Sequence, residues 1–178
     1  MLSFEFAVLD RIQADLKGPV MDLLMPAVSA LGSGGLVWLL LAGLLLLLPK
    51  HRRLGAAVLA GLALEVVCCN LVLKPLVARI RPCDVNTAVQ LLIARPDDFS
   101  FPSGHTGASF AAVSALFAGR SRLWIPAAVL AVLIAFSRLY LYVHYPSDVL
   151  AGAALGVMAG YLGTKLAQAA LRRKAGAA

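Results

Sequence analysis

Three short polar stretches interrupt a sequence that is otherwise strongly apolar, and each carries side chains that can do chemistry. In chain order, KPLVARIRP, FPSGHTGAS and SRLYLYVHYPSD contribute Lys74, Arg79 and Arg81, then Ser103 and His105, then Ser137, Arg138, His144 and Asp148. Each stretch lies where an apolar run begins or ends, and a charge at membrane depth costs about 2.5–3.5 kcal/mol or more. Several cations converging on one edge would repel one another without an anion among them. The pattern therefore predicts an anion site.

The second stretch has the local chemistry of an anion-binding helix start. Pro102 precedes the helix, Ser103 is a good N-cap residue, and Gly104 lets a ligand approach the backbone. Free N–H groups and the positive end of the helix dipole favour a bound anion. Phosphate or pyrophosphate fits best, because guanidinium groups match its oxygens two at a time.

Two histidines indicate catalysis in addition to binding. Asp148 follows His144 by four residues, and a carboxylate there can accept one imidazole N–H and leave the other nitrogen as a nucleophile. His105, at the start of a different helix, could protonate a leaving oxygen. Together with the cations, these groups are what phosphoester hydrolysis through a phosphohistidine requires, since phosphoryl transfer depends mainly on positioning and charge stabilisation.

The three stretches resemble the signature of the type 2 phosphatidic acid phosphatase (PAP2, or lipid phosphate phosphatase) family, whose site is related to that of vanadium haloperoxidases. The signature reads K-x6-RP, PSGH and SR-x5-H-x3-D. Here it runs from Lys74 to Arg81-Pro82, through residues 102–105, to Ser137-Arg138, His144 and Asp148. The resemblance extends over roughly residues 32–170 of this sequence.

The resemblance implies a role for each matching residue. It makes His144 the nucleophile, Asp148 the residue that orients it, and His105 the general acid. It assigns phosphate binding to Lys74, Arg81, Ser103, Gly104 and Arg138. Arg79 lies outside the family pattern and is an auxiliary candidate for a second phosphate or a headgroup. The resemblance also implies that no metal or other cofactor is needed.

The elements that position these residues are predicted to be membrane helices. Apolar residues make up 61% of the chain and charged residues 14%, with a mean hydropathy of +0.86, against about 45–50% and 25% in soluble domains. Since a spanning helix needs about 20 mostly apolar residues, five stretches qualify: 32–49, 54–74, 103–119, 123–142 and 147–170. Gly152, Ala153, Gly156 and Gly160 predict close helix packing in the last one. The predicted fold is an all-α polytopic membrane bundle.

The whole chain, residues 1–178, is predicted to form one domain, with a core bundle at 32–170. Residues 1–31 are predicted to be an interfacial amphipathic helix, a re-entrant piece or a partial sixth span, and residues 171–178 a basic cytoplasmic tail. Basic turns at 50–53 and 119–122 lie on the same side as this tail if the spans alternate. By the positive-inside rule that side is cytoplasmic. We therefore expect an integral protein of a bacterial plasma membrane with its site on the outer face, periplasmic or extracellular.

Other polar and aromatic residues are predicted to have structural roles. Glu65 and Asn70 are expected to form interhelical hydrogen bonds. The aromatic residues Trp38, Tyr140, Tyr142 and Tyr145 are expected in the belt at the membrane interface. The carboxylates Asp84, Asp97 and Asp98 are expected to be solvated loop charges. His51, in a basic turn on the opposite side, is not expected to be catalytic.

These features predict a membrane lipid phosphatase that acts on undecaprenyl diphosphate, phosphatidylglycerophosphate or phosphatidate. Its partners are then the lipid phosphate and the bilayer. Nucleic acid is excluded as a partner because the basic residues form short clusters between apolar runs, despite a net charge of +7. A non-enzymatic protein that binds anions or lipids, and a vanadate-dependent haloperoxidase-like enzyme, are the two alternatives.

Overall fold

The N-terminal third of the chain forms three helices, two of which make a bent pair. The computed structural model describes residues 2–176, and side chains from residue 3 to 170. Helix α1 spans Leu2–Leu16 and α2 spans Pro19–Leu31. A 3-10 turn, Ser33–Gly35, links α2 to α3 (Leu36–Leu47) with a 45° bend. Gly34 and Gly35 both have positive φ, which glycine adopts readily, so the bend falls at this pair.

The next segment carries the first polar stretch at its end. After a 3-10 turn, Pro49–His51, helix α4 (Arg52–Val66) continues through a π-helical segment, Val67–Leu73, into the short α5 (Lys74–Val77). A loop leads to α6 (Pro82–Val85), and a longer one runs to residue 103. π-helical insertions are frequent at functional sites, and this one immediately precedes Lys74.

The last three helices complete the bundle, with α7 at its centre. Helices α7 (Gly104–Ala118), α8 (Trp124–Tyr140) and α9 (Pro146–Gly176) follow in order, and α7 packs against α4, α8 and α9. Most of α7 is alanine, glycine and serine, which let neighbouring backbones approach closely. The closest approach is to α9, where a Cβ at Gly156 would lie 2.2 Å from the Gly107 carbonyl oxygen. The glycine-mediated packing predicted for the last helix is confirmed.

The described residues are helical without strands, but the five full spans are not confirmed. Two segments, Pro49–Val85 and Pro146–Ala170, are long and apolar enough to cross a membrane, and the bent α2–α3 pair could make a third. Helices α7 and α8 have 15 and 17 residues. At 1.5 Å per residue they reach about 22–26 Å, short of a hydrocarbon layer of about 30 Å. Their positions nevertheless agree with the predicted stretches 103–119 and 123–142.

The N-terminal segment lies against the end of the bundle where α8 stops and α9 starts. Helix α1 contacts both of these helices. Leu9 of α1 is fully buried against Tyr142 and Tyr145, and the Gln13 amide donates to the Tyr140 carbonyl oxygen at 2.6 Å. We call this end of the molecule the site end.

The four aromatic residues predicted for the interfacial belt are instead buried inside the protein. Trp38 packs in the main core, where its indole N–H donates to Ser109 Oγ at 3.0 Å. Tyr140 and Tyr142 donate their hydroxyls to Asp22 and Asp10, respectively, in the N-terminal helices. The belt prediction is wrong because carboxylates and a serine from other helices satisfy these polar atoms within the fold.

The opposite end of the bundle carries the basic turns. Lys50, His51, Arg53 and Arg120 line an open cavity of about 570 Å³ there. The backbone of α9 continues as a helix to Gly176, and the side chains of the predicted tail, 171–178, lie outside the described residues.

Candidate active site

A cavity of about 370 Å³ at the site end brings together residues from all three polar stretches. Six of the predicted site residues line it: Lys74, Arg81, Gly104, His105, Arg138 and His144. They come from α5, the loop before α6, the start of α7, the end of α8 and the loop between α8 and α9. Both imidazoles therefore face one space, although their positions are 39 residues apart in the chain.

Lys74, Arg81 and Arg138, three cations that line the cavity, are buried. Their N–H groups differ in whether they already have a hydrogen-bond acceptor. Arg81 donates from Nη1 to the Val143 carbonyl at 2.7 Å and from Nε to the Asp98 carbonyl at 2.8 Å. Arg138 donates from Nη1 to Ser29 Oγ at 2.5 Å, whereas its buried Nε has no hydrogen-bond partner among the described residues. Since an unpaired buried donor is costly, an anion in the cavity would satisfy it.

Asp98 is a half-exposed loop charge, as the sequence predicted, and it also pairs with two cations of this cluster. Its carboxylate forms ion pairs with Lys74 and with Arg81, the latter at 2.5 Å. Burial raises the pKa of Asp98, but the hydrogen bond from Lys74 and the charges of Arg81 and Lys74 outweigh this effect and lower it to about 2. Asp98 therefore neutralises two cations, Lys74 and Arg81, with which a bound phosphate would otherwise pair. Asp84 is also paired, with Arg95 at 2.8 Å.

His144 is buried between Arg81 and Asp148. Its Nε2 lies 3.2 Å from Arg81 Nη1, and its Nδ1 lies 3.5 Å from Asp148 Oδ2, just outside hydrogen-bond geometry. Burial, followed by the charges of Arg81 and Arg138, holds the pKa of His144 well below its usual range. The imidazole is therefore neutral at pH 7. With Nε2 accepting from Arg81, its proton belongs on Nδ1, facing Asp148.

Asp148 itself is held by several donors. Its Oδ2 accepts from Ser100 Oγ at 2.5 Å and from the Tyr145 N–H at 2.9 Å. Its Oδ1 accepts from Arg79 Nη1 at 2.5 Å. Asp148 is fully buried and does not line the cavity, so it can act only through His144.

His105 lies at the first turn of α7, across from the bend between α2 and α3. Its Nε2 is 3.5 Å from Ser33 Oγ, and a Cβ at Gly32 would lie 3.1 Å from its Cδ2. The close approach of the Gly32 backbone therefore restricts the ring on this side. The N-terminal segment, whose role the sequence left open, contributes directly to the site through Ser29, and Ser33 in the turn that follows α2 also lines the cavity.

At the start of α7, Gly104 faces the cavity whereas Ser103 does not. Gly104 lines the cavity, and a Cβ there would lie 3.4 Å from Asn70 Oδ1. Ser103 is in the N-cap position but makes no side-chain capping bond, and its Oγ instead accepts from Thr106 Oγ1 at 3.0 Å. It is fully buried and is not part of the cavity lining.

Arg79 also lies outside the cavity. Its guanidinium is placed between the carboxylates of Asp148 and Glu5, the latter on α1. The sequence analysis did not single out Glu5, Ser100 or Ser29. No local pattern marks these residues, because each reaches its partner across 48 to 109 positions of the chain.

A second, largely apolar cavity of about 710 Å³ adjoins the first and shares Lys74, Asp98, Gly104 and His105 with it. Most of its remaining lining is apolar and comes from α3, α4 and the residues around them: Leu39, Leu59, Leu62, Ala63, Val66 and Val67. A ligand with a charged head and a long apolar tail could therefore place one part in each cavity.

Comparison with known proteins places this geometry in a family. The model of the PAP2 superfamily matches residues 54–172, which is more than half of the chain. A decaprenylphosphoryl-5-phosphoribose phosphatase of Mycobacterium tuberculosis is 37% identical over 162 residues, covering 88% of this chain and 86% of its own. An undecaprenyl-diphosphatase of Sulfolobus acidocaldarius is 34% identical over 131 residues, covering 73% of this chain and 63% of that protein.

Two solved structures share the fold across nearly the whole chain. Aquifex aeolicus LpxE matches with a TM-score of 0.77 and 28% identity, covering 90% of this chain and 94% of its own. A PAP2-type phosphatidylglycerolphosphate phosphatase from Bacillus subtilis matches with a TM-score of 0.75 and 26% identity, covering 94% and 86%. The family model and these full-length similarities confirm the resemblance found in the three polar stretches: the chain belongs to the PAP2 superfamily.

Proposed function

We propose that this protein is a membrane lipid phosphatase that releases phosphate from a lipid phosphate monoester or diphosphate, with His144 as the nucleophile. The observation that carries this proposal is one cavity that holds three cations and two imidazoles and adjoins a larger apolar cavity. The named relatives are phosphatases and diphosphatases, which agrees with the predicted reaction class.

The cations bind the phosphate and stabilise its charge. Lys74, Arg81 and Arg138 surround the space, and the N-terminus of α7 adds backbone donors beside Gly104. The incoming phosphate replaces Asp98 as the partner of Lys74 and Arg81. It also takes the Arg81 donor away from His144 Nε2, which frees the lone pair on that nitrogen for attack.

The reaction then proceeds in two displacements. In the first, the negative charge of the bound phosphate holds His105 in its protonated, imidazolium form. The Nε2 lone pair of His144 forms a bond to phosphorus while the bond to the leaving oxygen breaks, and the His105 imidazolium donates its proton to that oxygen. In the second, water attacks phosphorus, His105 takes the proton from this water, and the P–N bond breaks with its electron pair returning to Nε2. Asp148 stabilises the positive charge that the imidazole acquires in between.

The lipid part of the substrate is proposed to be a polyprenyl chain, with undecaprenyl diphosphate as the first candidate. The apolar cavity beside the cations suits a long hydrocarbon chain, and two named relatives act on undecaprenyl and decaprenyl compounds. Phosphatidylglycerophosphate and phosphatidate also carry a terminal phosphate group, so their hydrolysis should be compared with that of undecaprenyl diphosphate.

The site is proposed to open on the outer face of a bacterial plasma membrane. Lys50, Arg53 and Arg120 line the cavity at the opposite end of the bundle, where positive charge favours the cytoplasm. The substrate would then be a lipid whose phosphate is exposed on the outer leaflet.

The test compares His144→Ala with His51→Ala, a histidine variant at the opposite end, for phosphate release from the three lipids in detergent. We expect the H144A variant to lose more than about 10³-fold in kcat while it still binds lipid phosphate, and the H51A variant to match wild type. Turnover by H144A would exclude the mechanism. A wild-type protein that binds lipid phosphate without releasing phosphate would be a binding protein. Vanadate should inhibit the enzyme as a phosphate mimic, and vanadate-supported halide oxidation would indicate the haloperoxidase alternative.

A further inference from the structure

A cluster of charged side chains lies directly behind the cavity, on the far side of Asp148. Arg79 donates from Nη1 to Asp148 Oδ1 at 2.5 Å and to Ser147 Oγ at 2.7 Å. It donates from Nη2 to Glu5 Oε2 at 2.5 Å. The guanidinium also lies over the Tyr145 ring, 3.9 Å from its centroid. One arginine thus connects α1 to the start of α9.

Glu5 completes this cluster from the first helix of the chain. Its Oε1 accepts from the Ser147 N–H at 3.1 Å and from Ser147 Oγ at 2.5 Å. Burial raises the pKa of Glu5, but the hydrogen bonds from Ser147 and Arg79 outweigh this effect and lower it. Glu5 is therefore ionised, and the charges alternate from Glu5 to Arg79 to Asp148.

This arrangement argues against a direct role of Arg79 in phosphate binding. Its Nη1 and Nη2 groups already bind carboxylates, and its side chain does not line the cavity that holds the other cations. A phosphate would have to displace two ionised partners to reach it. The contacts of Arg79 are instead those of a group that fixes Asp148.

We infer that Arg79 and Glu5 are positioning residues for the reaction, which hold Asp148 in place behind His144 and balance its charge. This inference rests on the proposed function, since it assigns a role in that same site. With Arg79 on Oδ1 and two donors on Oδ2, the carboxylate cannot turn away from the His144 ring. A displacement of about 1 Å in a reacting group can reduce the rate about 10²-fold.

The balance of charge follows from the groups that face His144. Cations, carboxylates and a second imidazole from every adjoining element surround it: Lys74, Arg81, Asp98, His105, Arg138 and Asp148. Asp148 favours a proton on His144, and Arg79 opposes that effect by pairing with Asp148. The pair formed by His144 and Asp148 should therefore take up a proton more readily when the charge of Arg79 is removed.

The kinetic test uses Arg79→Met, Arg79→Lys and Glu5→Gln, with Asp15→Asn as the matched control. Asp15 pairs with Arg11 on the exposed side of the same helix as Glu5. In R79M we expect kcat to fall about 10- to 100-fold with KM within about twofold, and the acid limb of the kcat/KM profile to move to higher pH. R79K keeps the charge and should recover part of kcat with an unshifted acid limb. E5Q should lower kcat without moving the acid limb of the kcat/KM profile to higher pH. D15N should match wild type.

A second readout does not depend on activity. The chain has three histidines, so the ring-nitrogen NMR shifts of each can be assigned by single substitution. At pH 7 wild type and D15N should show a neutral His144 with its proton on Nδ1, facing Asp148. In R79M the same ring should take up its second proton at a higher pH than in wild type. An unshifted His144 titration in R79M would overturn the inference, whatever the enzyme's substrate is.

The kinetic outcomes separate this inference from the proposed function. If wild type releases phosphate but R79M raises KM at unchanged kcat, Arg79 contacts substrate and the positioning role is wrong. If R79M only lowers the melting temperature, and its folded fraction has the kcat and pH profile of wild type, the cluster is purely structural. Failure of wild type to hydrolyse any lipid would instead refute the proposed function, and the NMR titration of His144 would still decide the role of Arg79.

Discussion

The contact between α7 and α9 can be tested at a single glycine. In Gly156→Ala, the new Cβ would lie 2.2 Å from the Gly107 carbonyl oxygen and 3.0 Å from both the Ala111 nitrogen and the Phe110 Cβ. Two of these three neighbours are backbone atoms of α7, which cannot turn aside as a flexible side chain would. The two helices must therefore separate for the methyl group to fit.

The size of the effect follows from this distance. Cβ atoms in proteins essentially never approach closer than 3.0 Å, so the helices must move apart by roughly 1 Å, and overpacking of this kind costs about 1–3 kcal/mol. The same movement would separate His105, on α7, from Asp148, on α9. Because a misplacement of about 1 Å can reduce a rate about 10²-fold, we expect kcat to fall about 10- to 100-fold.

The assay measures thermal unfolding and phosphate release in the same detergent, with Gly43→Ala as the control. Gly43 lies within α3, and a Cβ there would meet nothing within 4 Å. G43A should therefore keep wild-type activity and be equally or slightly more stable, since alanine favours a helix by about 0.5–1 kcal/mol. Equal melting temperatures and equal kcat for G156A and G43A would refute the close packing of α7 on α9.

Two further substitutions probe the cation cluster and the core. Asp98→Asn frees Lys74 and Arg81 from a competing carboxylate, so KM for the lipid phosphate should fall about three- to fivefold in steady-state kinetics, which corresponds to about 1 kcal/mol; a raised KM would contradict this. Because the folded-state pKa of Asp98 is about 2, its stabilising effect is complete above the unfolded value near 3.9 and is lost as pH falls toward 2. Melting temperatures between pH 4 and 2 should therefore fall less steeply in D98N than in wild type. Trp38→Phe removes the indole donor to Ser109 and should destabilise the protein by about 1–3 kcal/mol without changing KM; an unchanged melting temperature would show that this buried bond contributes nothing.

Helix positions and six of the residues that line the cavity were predictable, because both depend on local sequence. The predicted starts of α7 and α9, at residues 103 and 147, lie within one residue of the observed ones. Each polar stretch borders an apolar helix at the same end of the bundle, so alternation of the helices was enough to bring His105 and His144 to one side. The membership of the PAP2 superfamily followed from the same short stretches.

The interactions that the sequence analysis missed or misassigned join residues far apart in the chain. The ion pairs of the half-exposed Asp98 were not predicted, since nothing beside it in the sequence shows that Lys74 and Arg81 lie within reach. Trp38 was placed at the membrane interface, since its partner Ser109 lies 71 residues away. The five full spans are not confirmed, because hydropathy does not fix where a helix stops, and α7 ends after 15 residues.

The sequence by itself determined that the chain is helical and apolar. It also determined which residues could bind phosphate and which could transfer the phosphate from a lipid to water. Residue type and short-range spacing are sufficient for these conclusions, since they set helix formation, charge and chemical reactivity. Only the tertiary structure decided that Asp98 pairs with Lys74 and Arg81, and that Arg79 joins Glu5 to Asp148. The contact of Glu5 arises from the packing of α1 against α8 and α9, and the pairs of Asp98 arise from the position of the loop between α6 and α7 beside α5. The geometry of packing between distant segments is not encoded in any local pattern of the chain.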